Sequence, residues 1–243
     1  MLLAIDIGNT TIALGLFCKN RLIRRYSFAT RQRDYRPFIK KLLSRQPIEA
    51  AIISSVVPQA TKQIENALGN LITAKVVILG RDITVPVKNR YLYPKQVGQD
   101  RLVNAYAALK LYGVPAIVVD FGTAITFDVI SRKQEYLGGL ILPGLEISLE
   151  ALAEKTALLP KIKLAKPKGL IGRNTTNSIL NGIVYGFGTL TNGLIDKLKA
   201  ELGKNSKVIA TGGNINFIAK YCTKFDAIDI NLTLKGLNLI YPR

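Results

Sequence analysis

The sequence predicts an α/β protein of two similar domains, each a mixed sheet flanked by helices, that face a central cleft. The first observation is a pattern that occurs twice, at 3–13 and at 117–127. In each copy an apolar strand leads to Asp, an apolar residue, Gly, a small polar residue and a second apolar strand. A repeat at about half the chain length indicates two similar domains. The second observation is that both halves read as a three-strand meander followed by alternating helices and strands, which is typical of mixed sheets covered by helices.

The first half is predicted from apolar periodicity. Alternating or continuous apolar runs indicate strands, apolar residues at helical spacing indicate helices, and Pro58 is well placed to open a helix. The predicted strands are 2–7, 11–18, 22–28, 50–57 and 75–79, and the predicted helices are 34–45, 58–68 and 100–112. Prolines and a glycine make the segment 80–99 irregular.

The second half repeats this order after a boundary near residue 113, which gives domains at 1–113 and 114–243. The predicted strands are 116–120, 124–131, 135–142 and 207–211; the predicted helices run from 144 to about 154 and from 175 to 202. A basic loop occupies 156–172, a glycine turn and a short helix follow residue 211, and 226–240 is predicted as a short strand and a closing helix.

Composition limits the class of protein. The 243 residues are 48% hydrophobic, which is enough for a substantial core. No apolar run reaches the roughly 18 residues needed to cross a bilayer, and the N-terminus reads as a strand instead of a signal peptide because it lacks a basic flank. Two distant cysteines without metal-ligand spacing are typical of reduced thiols, so we expect a cytoplasmic protein.

The charge is strongly basic, with 34 Lys and Arg against 16 Asp and Glu and a net charge of +18. Such an excess suits nucleic acid or an anionic substrate. The basic runs at 19–45 and 155–173 lack the aromatic interleaving or zinc spacing of nucleic-acid modules. A solvated basic face that attracts phosphorylated metabolites is therefore the favoured interpretation, and a nucleic-acid-binding regulator is the alternative.

The repeated pattern itself suggests phosphate chemistry. In each hairpin the first strand carries a carboxylate, Asp6 or Asp120, to its end, where it can face a hydrated cation. The following Gly8 or Gly122 lets the backbone approach an anion without a Cβ in the way, and consecutive turn N–H groups form a concave anion site. An ordinary turn with a solvated Asp is the alternative for each copy. The chain has no His, so acid–base chemistry must fall to other side chains.

Further motifs narrow the class. Thr211-Gly-Gly-Asn follows a predicted strand, and together with the two hairpins it is similar to the adenosine and phosphate motifs of the acetate kinase, sugar kinase, Hsp70 and actin superfamily. The segment 89–101 ends in Gly98-Gln-Asp-Arg101, and two glycine-containing segments accompany it, at 138–144 and 172–175. This set resembles the type III pantothenate kinases over nearly the whole chain. An ordinary helix N-cap at Asp100 is the alternative for the Gly-x-Asp-Arg motif taken alone.

The resemblance implies ribonuclease H-like domains and an ATP-dependent kinase that phosphorylates pantothenate to 4′-phosphopantothenate, the first step of coenzyme A biosynthesis. It implies Asp100 as the catalytic residue that accepts or orients the hydroxyl proton, a role that also suits a chain without His. Arg101 offers a planar fork for the substrate carboxylate. The implied substrate-binding residues are Tyr91, Gly98, Gln99, Asp100, Arg101 and Thr175. Tyr93 remains an alternative to Tyr91.

The implied ATP-binding residues are Asp6, Ile7, Gly8, Asn9, Thr10, Thr11, Ile12, Ala13 and Thr123. Asp6 would face magnesium through water, because a magnesium ion bound to a protein usually keeps several of its water ligands. The resemblance also implies a monovalent cation, potassium or ammonium, at Asp120, and a homodimer with the pantothenate site near the subunit interface. The glycine-containing helix around 178–195 is a candidate dimer contact, with an ordinary core helix as the alternative.

Overall fold

The computed structural model describes residues 1–43, 48–69, 71–72 and 75–242. The chain divides into two compact units, Met1–Lys110 with Asn231–Arg243, and Leu111–Ile230. The crossing at 110–111 lies close to the predicted boundary at 113. The C-terminal segment, however, belongs to the first unit, whereas the division drawn from the sequence places it in the second half.

The first unit contains a mixed five-stranded sheet. Its elements are β1 (Leu2–Ile7), β2 (Thr11–Cys18), β3 (Arg21–Ala29), α1 (Arg36–Leu43), β4 (Ala50–Ser55), α2 (Pro58–Gly69), β5 (Lys75–Ile78), the two-residue β6 (Lys88–Asn89), a 3₁₀ turn (Pro94–Gln96), α3 (Gln99–Tyr112) and the C-terminal helix described below. The strand order is β3-β2-β1-β4-β5. β1 to β3 form the antiparallel meander, and β4 and β5 run parallel to β1. The end of the predicted helix 34–45, at residues 44 and 45, lies outside the described residues.

The second unit repeats this plan. Its elements are β7 (Ala116–Phe121), β8 (Ala124–Ile130), β9 (Glu135–Pro143), α4 (Leu145–Lys155), α5 (Thr175–Leu202), β10 (Lys207–Thr211), α6 (Ile215–Ile218) and β11 (Ala227–Ile228). These strands lie in the order β11-β10-β7-β8-β9. The meander β7 to β9 is antiparallel, and β10 and β11 are parallel to β7. The predicted α/β class, two mixed sheets flanked by helices, is confirmed.

Each unit has its own apolar core, because the inward faces of the sheet are covered by helices. In the first unit β1, β2 and β4 pack with α2 around residues such as Ile5, Leu14 and Ile64. In the second unit β7, β8 and β10 pack with α5 around residues such as Val119, Phe127 and Val184. Cys222 belongs to this core, whereas Cys18 is exposed at the end of β2; both cysteines are free. Within the described part of the chain, no helix combines the length and apolarity that a membrane span requires.

The C-terminal helix α7 (Leu232–Ile240) packs against β1, β2 and β4. Gly236 allows the same helix to approach α3 closely, since an ideal Cβ there would lie 2.7 Å from Val103 Cγ1 and 2.8 Å from the Val103 carbonyl oxygen. The Thr233 hydroxyl also lies 2.8 Å from Asn104 Oδ1 on α3. A long-range contact of this kind has no local signature, so the sequence could not assign the last helix to the first unit.

We predict that Gly236→Ala lowers the free energy of unfolding by about 2 kcal/mol, the usual cost of overpacking a filled interior. Gly69→Ala is the matched control, because a Cβ at Gly69 meets nothing within 4 Å; it should leave stability unchanged or raise it by up to ~1 kcal/mol. Urea unfolding followed by circular dichroism measures both. Equal midpoints for the two variants would contradict the close α3–α7 packing.

Candidate functional site

The turn of the first hairpin is held by backbone and side-chain hydrogen bonds. The N–H of Gly8 donates to the Thr11 carbonyl at 3.0 Å, and a Cβ at Gly8 would lie 3.1 Å from that oxygen. Asn9, Thr10 and Thr11 are exposed at the tip of the hairpin. Ile7 and Ile12 are buried beneath the turn, and Ala13 is half-buried. The predicted ATP-binding segment therefore divides into a solvent-facing turn and the strand residues that support it.

Asp6 is half-buried near the end of β1, and every other residue of that strand is buried. In the sheet register it lies between Ala13 of β2 and Ser54 of β4. The Ser54 hydroxyl is fully buried and, among the described residues, has no hydrogen-bond partner. A carboxylate beside an unsatisfied hydroxyl fits a hydrated magnesium ion, which keeps several waters and takes one or two protein carboxylates plus phosphate oxygens. The described residues include no group of three or more His, Cys, Asp or Glu side chains that could hold a metal unaided.

The turn of the second hairpin is supported differently. The Gly122 N–H donates to the Ala124 carbonyl at 3.1 Å, and the Gly144 N–H donates to the Thr123 carbonyl at 3.1 Å. Gly144 must lack a side chain, because its Cβ would lie 2.1 Å from the Thr123 oxygen. The Thr123 residue itself is exposed. The turn after β9 thus fixes the backbone of Thr123, one of the predicted ATP-binding residues.

Asp120 contacts the third motif, Thr211-Gly-Gly-Asn, directly. Thr211 is its register neighbour on β10, and an ideal Cβ at Gly212 would lie 2.5 Å from Asp120 Oδ1 and 2.5 Å from the backbone of Phe121. The Asn214 N–H donates to the Phe121 carbonyl at 3.0 Å. Gly212 also has φ of +99°, a conformation that residues with a side chain rarely adopt. The structure therefore brings two of the predicted nucleotide motifs together, and a Cβ would fill the space beside the Asp120 carboxylate.

The substrate-loop candidates are ordered by local hydrogen bonds. Asn89 Oδ1 accepts from the Tyr91 N–H at 2.9 Å, and Asn89 Nδ2 donates to the Pro94 carbonyl at 3.3 Å. Tyr91 is half-buried, whereas Tyr93 is 60% exposed. The burial difference favours Tyr91 as the more firmly positioned ring.

The Gly98-Gln-Asp-Arg101 motif lies at the start of α3. A Cβ at Gly98 would lie within 2.4 Å of the Asp100 carboxylate, so glycine gives that carboxylate its space. Gln99 packs over Gly80, whose φ is +81°. Asp100 Oδ1 accepts from the Arg101 N–H at 2.9 Å, and Arg101 is buried, with 8% of its surface exposed.

Desolvation raises the pKa of Asp100 above its ordinary value, and the N–H and charge of Arg101 oppose this rise. Burial disfavours the charged form of a carboxyl group, whereas a nearby cation favours it. Asp100 is thus a carboxylate with strengthened proton affinity, which suits a group that accepts a proton. The helix starts at Gln99, so Asp100 is in the first turn and is not the N-cap residue.

Thr175 is the first residue of α5 and is exposed. The side chain of the N-cap residue Asn174 accepts from the Asn177 N–H at 2.8 Å. Gly172 packs against Ser178, where a Cβ would lie 2.3 Å from the Ser178 nitrogen. These contacts fix the segment before α5 and hold Thr175 at a helix start.

Sequence reasoning missed two supporting residues. Thr30 donates its hydroxyl to the Gly8 carbonyl at 2.7 Å, and Gly80 carries the Gln99 side chain. Neither has a local motif, because their partners are about twenty residues away along the chain.

A cavity of about 220 Å³ lined by Arg33, Tyr35, Arg36, Gln63 and Asn66, among others, contains none of the predicted site residues.

Solved structures show which class of fold this is. A conserved Campylobacter jejuni protein assigned to the Baf family of transcriptional activators matches with a TM-score of 0.62 and 21% identity, covering 98% of this chain and 96% of that one. The activator of 2-hydroxyisocaproyl-CoA dehydratase from Clostridium difficile matches with a TM-score of 0.53 and 10% identity, over 98% and 92%. At these identities the likeness concerns the fold, and the fold is that of the actin, Hsp70 and sugar kinase class.

Sequence comparison identifies the family within that class. The family model of the type III pantothenate kinases matches residues 2–197. Type III pantothenate kinases from Halalkalibacterium halodurans and Syntrophobacter fumaroxidans are 42% and 43% identical, over 100% of this chain and 99% and 98% of their own lengths. The chain belongs to the type III pantothenate kinase family.

We predict that Gly212→Ala destabilises the protein by about 1–3 kcal/mol, the usual cost of holding a side-chain-bearing residue in a rare backbone conformation, with the Asp120 contact adding to it. Gly213→Ala is the matched control, since a Cβ there meets nothing within 4 Å. Thermal unfolding should show a lower midpoint for Gly212→Ala than for its neighbour. Similar midpoints would mean that the turn does not press on Asp120.

Proposed function

We propose that this protein transfers the γ-phosphoryl group of ATP to the 4′-hydroxyl of pantothenate and so catalyses the first step of coenzyme A biosynthesis. The observation that carries the proposal is the family membership over the whole chain, with Gly98-Gln-Asp-Arg101 present at the start of α3. The reaction needs positioning, charge neutralisation and an acceptor for one proton. Since ATP is its phosphoryl donor, we assign the enzyme to the cytoplasm.

The first hairpin is the proposed site for the ATP phosphates. The segment from Asp6 to Ala13 presents an exposed turn whose backbone suits anions, and Thr123 adds a second exposed turn. Asp6 would hold magnesium through water, with the buried Ser54 hydroxyl as a neighbour. When bound, the magnesium ion neutralises phosphate charge. The protein residues orient the phosphates and fix the position of that charge.

The α3 motif is the proposed acceptor site. Asp100 orients the hydroxyl of pantothenate and takes up its proton, and its raised pKa supports that role. Full deprotonation before transfer is not required, because a loose transition state asks little of a base. Arg101 would pair with the substrate carboxylate, Tyr91 and Thr175 would contact its hydroxyl and amide groups, and Gly98 and Gln99 would shape the loop around them.

The proposed monovalent cation, potassium or ammonium, would bind at Asp120. The donor set fits such a weakly held ion, because a half-buried carboxylate faces a backbone cradle that a Cβ at Gly212 would fill. When bound, the ion supplies one positive charge near the phosphates. Asp120 and the turn after β10 keep that charge in place.

A homodimer through α5 is part of the proposal. Gly182, Gly186 and Gly193 are exposed on this helix, and Leu190 is 40% exposed. These residues would let a second copy approach closely, next to the exposed Thr175. The alternative of a nucleic-acid-binding regulator is not favoured, because the curated relatives are pantothenate kinases and the 21% identity to the Baf family protein reaches only the fold.

A coupled assay with pantothenate, ATP, magnesium and potassium tests the proposal against a blank that lacks pantothenate. We expect pantothenate-dependent ADP formation, which Asp100→Asn should reduce by about 100-fold or more, the usual contribution of a positioned base. Asp196→Asn, at an exposed carboxylate paired with Lys224, should retain activity. Near-normal turnover by a folded Asp100→Asn variant would remove Asp100 from catalysis.

The fold of Asp100→Asn can be checked by its stability. Because burial raises the pKa of Asp100, the folded protein binds this proton more tightly than the unfolded chain does. The contribution of Asp100 to stability is therefore lost as the pH rises from the ordinary value through the raised pKa. Near pH 7 the neutral Asn avoids that cost, so its melting temperature should not fall below that of the wild type.

Replacement of potassium and ammonium by sodium should reduce turnover by about tenfold or more if Asp120 holds a size-selective cation. Potassium should also raise the melting temperature by binding the folded state, and Asp120→Asn should abolish that shift. Identical rates and melting temperatures in potassium and sodium would count against the cation site.

A further inference from the structure

Thr30 contacts the backbone of the first hairpin at two points. It follows β3 directly and is buried, with 5% of its surface exposed. Its hydroxyl donates to the Gly8 carbonyl at 2.7 Å, and its N–H donates to the Thr10 carbonyl at 2.8 Å. Two alternate carbonyl groups of the turn are therefore directed at the same residue.

The direction of these carbonyls fixes the direction of the amides. In a trans peptide the C=O and the following N–H point to opposite sides, and the cis bond described in this chain is elsewhere, at Val114–Pro115. With the carbonyls of Gly8 and Thr10 turned towards Thr30, the N–H groups of Asn9 and Thr11 point away from it. Amides aligned on one side of a turn form an anion-binding concavity.

Thr30 is itself held from the other side. The Tyr35 hydroxyl donates to the Thr30 carbonyl at 2.6 Å, and Tyr35 is buried, with 4% of its surface exposed. A tyrosine hydroxyl is protonated at neutral pH, and burial raises the pKa of Tyr35 further, so the hydroxyl stays a donor. The Tyr35 ring packs against Phe28, which stacks on Phe38 with centroids 4.5 Å apart. Thr30 is therefore anchored to the aromatic cluster of β3 and α1.

We propose that Thr30, braced by Tyr35, is a positioning residue that orients the amides of Asn9 and Thr11 towards the phosphates of the nucleotide. The inference rests on the proposed function, because it assigns ATP to this turn. Thr30 does not touch the ligand. Its hydroxyl replaces the water that would otherwise solvate the Gly8 carbonyl and allow that peptide to rotate.

The test uses the full chain with Thr30→Val, which keeps the β-branched shape and removes the hydroxyl, and Thr30→Ser, which restores it. We expect Thr30→Val to raise both the KM for ATP and the calorimetric dissociation constant of ATP by about tenfold, the scale of an unsatisfied buried carbonyl. The KM for pantothenate should stay within about twofold, and Thr30→Ser should stay within about twofold of wild type in every constant. A merely structural role would not separate the two KM values.

Two further variants serve as a control and as a substitute for Thr30→Val. Ser206→Ala removes a buried hydroxyl that donates to the Gly203 carbonyl in the second unit, and it should leave ATP affinity unchanged. Should Thr30→Val fail to fold, Tyr35→Phe keeps the Thr30 hydroxyl but releases its carbonyl, and it should weaken ATP binding two- to threefold.

Unchanged ATP affinity in the folded variants, or equal changes in both KM values, overturns the proposal. Absence of pantothenate-dependent turnover in the wild type would instead refute the proposed function, and the calorimetric arm would still decide the role of Thr30.

Discussion

Each unit holds a carboxylate near the end of the middle strand of its mixed sheet. Asp6 and Asp120 occupy the fifth position of six-residue strands, and each is the half-buried member of an otherwise buried strand. On one side the strand pairs with the antiparallel arm of its hairpin, and on the other with a parallel strand. Because neighbours on both sides fix the strand, the carboxylate has little freedom to move. A charge held in this way can organise a cation without a cluster of acidic ligands.

The local part of this plan could be predicted from the sequence. The period of apolar residues gave the strands of both meanders, and helical spacing gave α5 at Thr175–Leu202 and α3 to within one residue at its start. The repeated Asp-x-Gly pattern identified the two hairpins that begin with β1 and β7. These features succeed because hairpins and helices are decided by residues close together in the chain.

Contacts between distant segments could not be predicted in the same way. Thr30 lies 22 residues from Gly8, Gln99 lies against Gly80, and α7 returns to α3 from the end of the chain. None of these partners shares a periodic pattern. The protonation behaviour of Asp100 is equally hidden, since the residue type gives an ordinary pKa and the burial that raises it arises from the assembled loop.

The two hairpins share a local pattern but differ in what fixes their turns. In the first unit the hydroxyl of Thr30 donates to the Gly8 carbonyl and its backbone N–H donates to the Thr10 carbonyl, and the Tyr35 hydroxyl donates to the Thr30 carbonyl. In the second unit backbone amides do so, from Gly144 to Thr123 and from Asn214 to Phe121. A backbone amide reaches the turn only when its own segment lies very close to it, which explains why Gly144 and Gly212 lack room for a Cβ. The first turn is supported by Thr30, and this segment needs no glycine. The sequence repeat is therefore confined to the strands and turn of each hairpin, because the surrounding segments support the two turns with different hydrogen bonds.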